Sequence, residues 1–126
     1  MINITHLDHL VLTVQNIERS VAFYTQVLGL QEVTFGDNRK ALLFGKQKIN
    51  LHQKGQEISP HATYPTSGSA DLCLITTTEL EQVILHLKSH HIPLESGIVS
   101  RKGAIGDIRS VYLRDPDGNL IEISHY

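Results

Sequence analysis

Residues 7–30, LDHLVLTVQNIERSVAFYTQVLGL, carry the change of period that decides the fold. In LDHLVLTV, Leu10, Leu12 and Val14 fall on one side, and His9, Val11 and Thr13 on the other. That alternation is the mark of a half-buried strand. Asn16 then reads as a helix N-cap, because its side chain can accept a free backbone N–H of the first turn. After it, Ile17, Val21, Phe23, Tyr24, Val27 and Leu28 build one apolar helical face. Gly29 stops the helix as a left-handed cap residue.

Working outward, LQEVTFG (30–36), KALLFG (40–45) and INLHQ (49–53) read as three strands, with DNRK and KQK as turns. Residues 54–69, KGQEISPHATYPTSGS, are rich in Gly, Pro and Ser, lack periodicity, and read as a linker or ordered surface loop. The order then returns. ADLCLIT (70–76) alternates, with Asp71, Cys73 and Ile75 on one face. Thr78 with Glu81 reads as a capping box that opens the helix ELEQVILHLKSHH, whose Leu80, Val83, Ile84 and Leu87 point inward. IPLESGIV holds a short strand, and Gly103 and Gly106 bracket a connection. RSVYLRD (109–115) and LIEIS (120–124) form a hairpin through PDGN.

The pattern is therefore βαβββ, loop, βαβββ. Laying the first half on the second matches His9 with Asp71, Leu10 with Leu72, Leu12 with Leu74 and Val21 with Val83. In the last strands Ile49, Asn50 and Leu51 match Ile121, Glu122 and Ile123. The expected class is α+β, with two βαβββ modules at 5–55 and 70–126 joined by 56–69 within a single domain spanning 1–126.

Composition narrows the function. A chain of 126 residues buries roughly two thirds of its unfolded surface and needs no disulfide framework. Eleven Lys and Arg oppose 13 Asp and Glu, so the net charge of -2 favours neither nucleic acid nor an anionic membrane as partner. No apolar run approaches the ~20 residues of a membrane span. MINITHLDHL has no basic segment or cleavage site, and Cys73 stands alone, so the expected location is cytoplasmic.

Helices covering one sheet face leave the other for a partner surface or ligand. Leu10, Leu12, Leu72, Leu74, Ile121 and Ile123 are expected against the helices. His9, Val11, Asn50, His52, Asp71, Cys73, Glu122 and Ser124 are expected on the opposite, mixed face, which suits a small-molecule site. Glu122, between two isoleucines, needs a metal ion or a base such as His9 to offset its burial. His9, Asp71, Glu122 and His52 are candidate ligands for Zn, Fe, Mn, Ni or Co. Asn50, Cys73 and Arg109 are candidate substrate contacts; Cys73 itself reads as a small buried hydrophobe. Arg101, Lys102 and Arg109 flank the Gly-rich stretch and could hold an anionic substrate group.

LDHLVLTVQNIERSVAFYTQVLGL resembles the first βα unit of the vicinal oxygen chelate superfamily, which contains glyoxalase I, fosfomycin- and bleomycin-resistance proteins and extradiol dioxygenases. VYLRDPDGNLIEIS resembles its C-terminal signature, and HATYPTSGSADLCLIT is similar to a glyoxalase-domain subgroup with members labelled virulence proteins. The resemblance implies a metal cup with ligands at His9, Asp71 and Glu122, and Asn50 at an optional fourth place. It also implies a homodimer whose cups take strands from both chains. Asp71 stands where glyoxalase and fosfomycin enzymes commonly carry His, and Asn50 where glyoxalase I carries an acid. Two functions follow. One is a metal-dependent lyase, isomerase, thiol transferase or dioxygenase in which Glu122 also moves a proton. The other is a metal-free binding protein of the bleomycin-resistance type.

Overall fold

Asn16 ends the first strand and starts the first helix: its side chain accepts the Arg19 N–H at 2.8 Å. A computed structural model describes residues 1–126 and divides them into two compact units, Met1–Ser67 and Gly68–Tyr126. The first unit contains β1 (His9–Val14), α1 (Ile17–Gln26), β2 (Gln31–Phe35), β3 (Arg39–Phe44) and β4 (Gln47–Gln53). The second contains β5 (Asp71–Ile75), α2 (Leu80–Ser89), β6 (Ser96–Lys102), β7 (Asp107–Arg114) and β8 (Leu120–His125). The sheet orders are β1-β4-β3-β2 and β5-β8-β7-β6. In each, the first strand runs parallel to the last and the remaining pairs are antiparallel. Both units are βαβββ modules, as the periodicity implies.

Register makes the repeat concrete. Val11 sits opposite Asn50 in the first sheet, and Cys73 opposite Glu122 in the second. Leu10 pairs with Ile49, and Leu72 with Ile121. The helix-side face is apolar: Leu12, Val14, Leu42, Ile49 and Leu51 are buried in the first unit, with Phe23, Tyr24 and Val27 of α1. Phe23 and Tyr24 meet edge to face at 5.2 Å. The second unit buries Leu80 and Leu87 of α2 with Val111, Leu113, Ile121 and Ile123. Leu10, Leu72 and Leu74 are half-buried, at the margin of these cores.

Local chemistry sets the ends. Gly29 has φ +74°, which lets Leu30 N–H return to Tyr24 C=O at 2.9 Å. The second helix begins differently from the expectation. Thr78 is not its N-cap: the helix starts at Leu80, and its cap residue Glu79 makes no side-chain cap bond. Thr76 Oγ1 accepts Thr78 N–H at 3.0 Å, closing a turn before the helix and displacing the capping box.

In the turn DPDGN the two end residues, Asp115 and Asn119, form a buried knot. Asp115 Oδ1 accepts the N–H groups of Asp117 and Asn119, both at 2.9 Å, and Oδ2 accepts Asn119 Nδ2 at 2.7 Å. Asn119 Oδ1 in turn accepts Ala70 N–H at 2.8 Å. The hairpin turn is thereby tied to the entry of β5, which fixes the register that carries Glu122. No helix is long and apolar enough to cross a membrane.

Candidate functional site

Glu122 lies on β8 between two buried isoleucines, so its side chain emerges on the face away from α2. There Oε2 accepts Ser110 Oγ at 2.6 Å and Ser124 Oγ at 3.3 Å. The two serine oxygens are 2.7 Å apart, and Cys73 Sγ is 3.2 Å from Ser124 Oγ. Because the carboxylate can only accept, a hydrogen-bonded chain runs from thiol through Ser124 and Ser110 to Glu122. Both serines are fully buried. They fix one carboxylate oxygen and leave the other for a ligand.

A cavity of about 330 Å³ opens on this face, lined among others by Cys73, Ile75, Arg101, Ile108, Glu122 and Tyr126. Arg101 Nε donates to Tyr112 Oη at 3.0 Å, and its guanidinium stands 5.5 Å above that ring. The β6–β7 turn is strapped to the C-terminus, with Ile105 N–H donating to Tyr126 Oη at 3.2 Å. A Cβ at Gly103 would lie 2.5 Å from Tyr126 Oη, so a larger residue there would displace that hydroxyl. Cys73 is exposed, not the buried hydrophobe expected, because the face it occupies is open. Burial of the sulfur and the nearby Glu122 charge push its thiol up, against the Ser124 hydrogen bond. It is therefore a neutral donor and not a nucleophile at neutral pH.

In the first unit the face away from α1 carries His9, Val11 and Thr13 on β1, and Lys48, Asn50 and His52 on β4. His9 Nδ1 is 2.8 Å from Asp8 Oδ2, a contact that holds the Asp8 carboxyl below its ordinary range. A carboxylate beside Nδ1 is the arrangement found behind metal-binding histidines, whose other ring nitrogen takes the ion. Sequence reasoning overlooked Asp8; its adjacency to His9 was the available signal. His52 is buried with neither ring nitrogen partnered, and Asn50 Oδ1 is likewise buried without a partner. Burial first, and then the Arg39 charge, push the His52 pKa down, so its imidazole is neutral at neutral pH.

The structure thus collects His9, Asn50 and His52 on one polar face, and Asp71, Cys73 and Glu122 on another. Arg109 lies elsewhere: its guanidinium pairs with Glu81 of α2 at 2.9 Å. Lys102 pairs with Asp107 at 2.6 Å. The chain contains no group of three or more His, Cys, Asp or Glu side chains that could hold a metal ion. The donor types suit a divalent cation. Ser124, expected on this face, and Ser110, which was not, both contact Glu122; the alternation of β7 contained Ser110.

Comparison with known proteins gives a consistent picture. Residues 6–123 match the model of the Glyoxalase/Bleomycin resistance protein/Dioxygenase superfamily. Virulence protein STM3117 of Salmonella typhimurium is 55% identical over 98% of this chain and 85% of its own length. Its crystal structure superposes with a TM-score of 0.98 over 99% of both chains. Glyoxalase domain-containing protein RDO1 of Mycosarcoma maydis is 49% identical over 99% of this chain and 70% of its own. Further off, the metallothiol transferase FosB of Staphylococcus epidermidis is 28% identical over 95% of this chain and 81% of its own. Catechol-2,3-dioxygenase of Bacillus subtilis is 27% identical over 94% of this chain and 41% of its own.

Proposed function

Because this chain belongs to the Glyoxalase/Bleomycin resistance protein/Dioxygenase superfamily, we propose that it is a divalent-metal-dependent enzyme acting on a small oxygenated molecule. The observation that carries this reading is Glu122: a carboxylate clamped by two buried serines at the wall of a cavity, with one oxygen left for a ligand. His9, oriented by Asp8, is the matching imidazole. His9 of one copy, with Asp71 and Glu122 of a second, would hold the ion in a homodimer, and His52 or Asn50 would complete the site. The relatives named as a metallothiol transferase and a dioxygenase support the metal. Zn, Fe, Mn, Ni and Co all accept this donor set. When bound, the ion would supply Lewis-acid polarisation of substrate oxygens.

The chain's own groups do the rest. Ser110 holds Glu122 so that its free oxygen can take up and return a proton. Ile75 and Ile108 give the cavity wall an apolar part beside Glu122. Isomerase, lyase, thiol-transfer and dioxygenase reactions all fit a carboxylate beside an activated oxygen pair. The test is elemental analysis of protein purified without chelator, beside His9→Ala. Near-stoichiometric metal, lost in the variant, is the expected result. Metal-free native protein, or metal retained by the variant, contradicts it.

A second reading is favoured by one observation, the lack of a three-donor group in the chain. It is a metal-free protein that sequesters a small molecule. Ligand binding that survives EDTA and ignores His9→Ala selects it.

A further inference from the structure

Two cations share one aromatic ring on the polar face of the first sheet. The Arg39 guanidinium lies 4.7 Å from the Phe35 ring centroid, and Lys48 Nζ lies 4.0 Å from it. Register places these residues with Ala41, Asn50 and His52: Phe35 pairs with Arg39, Ala41 with Asn50, and Lys48 with His9. Like charges around one ring repel, and the ring offsets only part of that repulsion. Neither cation forms an ion pair. The Asp8 carboxylate feels the Lys48 charge but makes its close contact with His9, at 2.8 Å.

Beside the cations are buried polar atoms with nothing to bond. Asn50 and His52 are 5% and 4% exposed, and Asn50 Oδ1 and both His52 ring nitrogens have no partner. Buried groups left this way are rare in a folded chain and mark a place where something else binds. The needs are complementary. The cations need an anion, the amide oxygen needs a hydrogen-bond donor, and the ring offers an apolar surface.

We propose that this face binds a small hydroxy acid: Arg39 and Lys48 hold its carboxylate, Phe35 packs against its carbon skeleton, and Asn50 Oδ1 accepts its hydroxyl proton. The proposal rests on the reading of the polar faces as ligand surfaces and adds the substrate class. A carboxylate is chosen over a phosphate because the orphaned acceptor requires a donor, and phosphate brings mainly further acceptors.

The test is an NMR titration of the isotope-labelled full chain with glycolate, L-lactate and L-malate. Succinate, malamide and inorganic phosphate serve as controls, each run with and without EDTA. The expected result is saturable shifts at Arg39, Phe35 and His52 with a hydroxy acid, weaker effects with succinate and none with malamide. Arg39→Gln and Lys48→Gln should each weaken binding about tenfold, whereas Lys48→Arg retains it. The spectra report whether each variant is folded, and Lys48→Gln decides if Arg39→Gln is not. Malamide binding as well as malate, phosphate binding more tightly, or both Gln variants behaving as wild type would overturn the proposal. So would the lack of any shift at ~10 mM, where even a millimolar site fills. Hydroxy-acid binding that persists in EDTA, with no metal in the protein, keeps this assignment and sinks the metal reading. Stoichiometric metal without carboxylate binding does the reverse.

Discussion

The two sheets share strand order, register and an apolar helix side, yet they treat their polar faces in opposite ways. In the second sheet Glu122, Ser110, Ser124 and Cys73 satisfy one another. In the first, the positions matching Glu122 and Ser124 are Asn50 and His52, and both are buried with unsatisfied atoms. The scaffold therefore dictates where polar side chains emerge, and not whether they are paired. The satisfied cluster is built to hold a carboxylate still. The unsatisfied one gives up stability by burying polar atoms without partners.

The largest effects should fall where the sheets agree. Ile49 and Ile121 are matching, fully buried residues on the helix side. Ile49→Ala and Ile121→Ala should each cost about 2–5 kcal/mol in urea unfolding. A tenfold smaller cost at either would break the equivalence. Next is the knot that only the second unit has. Asp115→Ala removes three accepted hydrogen bonds and should cost about 2–3 kcal/mol, measured the same way.

On the polar faces the signs should differ. Ser110→Ala should destabilise by about 1 kcal/mol, because it removes a short bond to a carboxylate. His52→Phe should be neutral or stabilising by up to ~1 kcal/mol, since it replaces an orphaned polar ring with an apolar one. Equal losses at both sites would erase the contrast. The pH dependence sharpens it. The folded pKa of His52 lies below its ordinary 6.5, so the unfolded chain binds its proton first as pH falls. Its contribution is complete above that value and is lost progressively below it. The acid-side loss of stability should therefore shrink in His52→Phe, by comparison of unfolding curves from pH 7.5 down to ~5. The smallest effect belongs to Arg109→Ala. Its exposed pair with Glu81 should be worth less than ~0.5 kcal/mol, and ligand binding should not change.

Much of this was legible from the chain. Alternation around Leu10, Leu12 and Val14 located β1, and Glu122 declared itself by interrupting two isoleucines. Three things were not legible. The Arg39–Phe35–Lys48 cluster depends on cross-strand register, and reading DNRK as a turn hid that Arg39 opens β3. The Thr78 capping pattern was present in letters, but Thr76 took its N–H first. The Cys73 environment depends on what covers an open face, which periodicity does not report.

The proposed function turns on whether the carboxylate of Glu122, held by Ser110, binds a metal ion. Titration calorimetry of the chelator-stripped full chain with Zn²⁺, wild type beside Glu122→Gln, tests it most directly. One saturable ion per chain is predicted, with binding weakened by at least about tenfold in the variant. No saturable binding by wild type, or equal affinity in the two proteins, would contradict it.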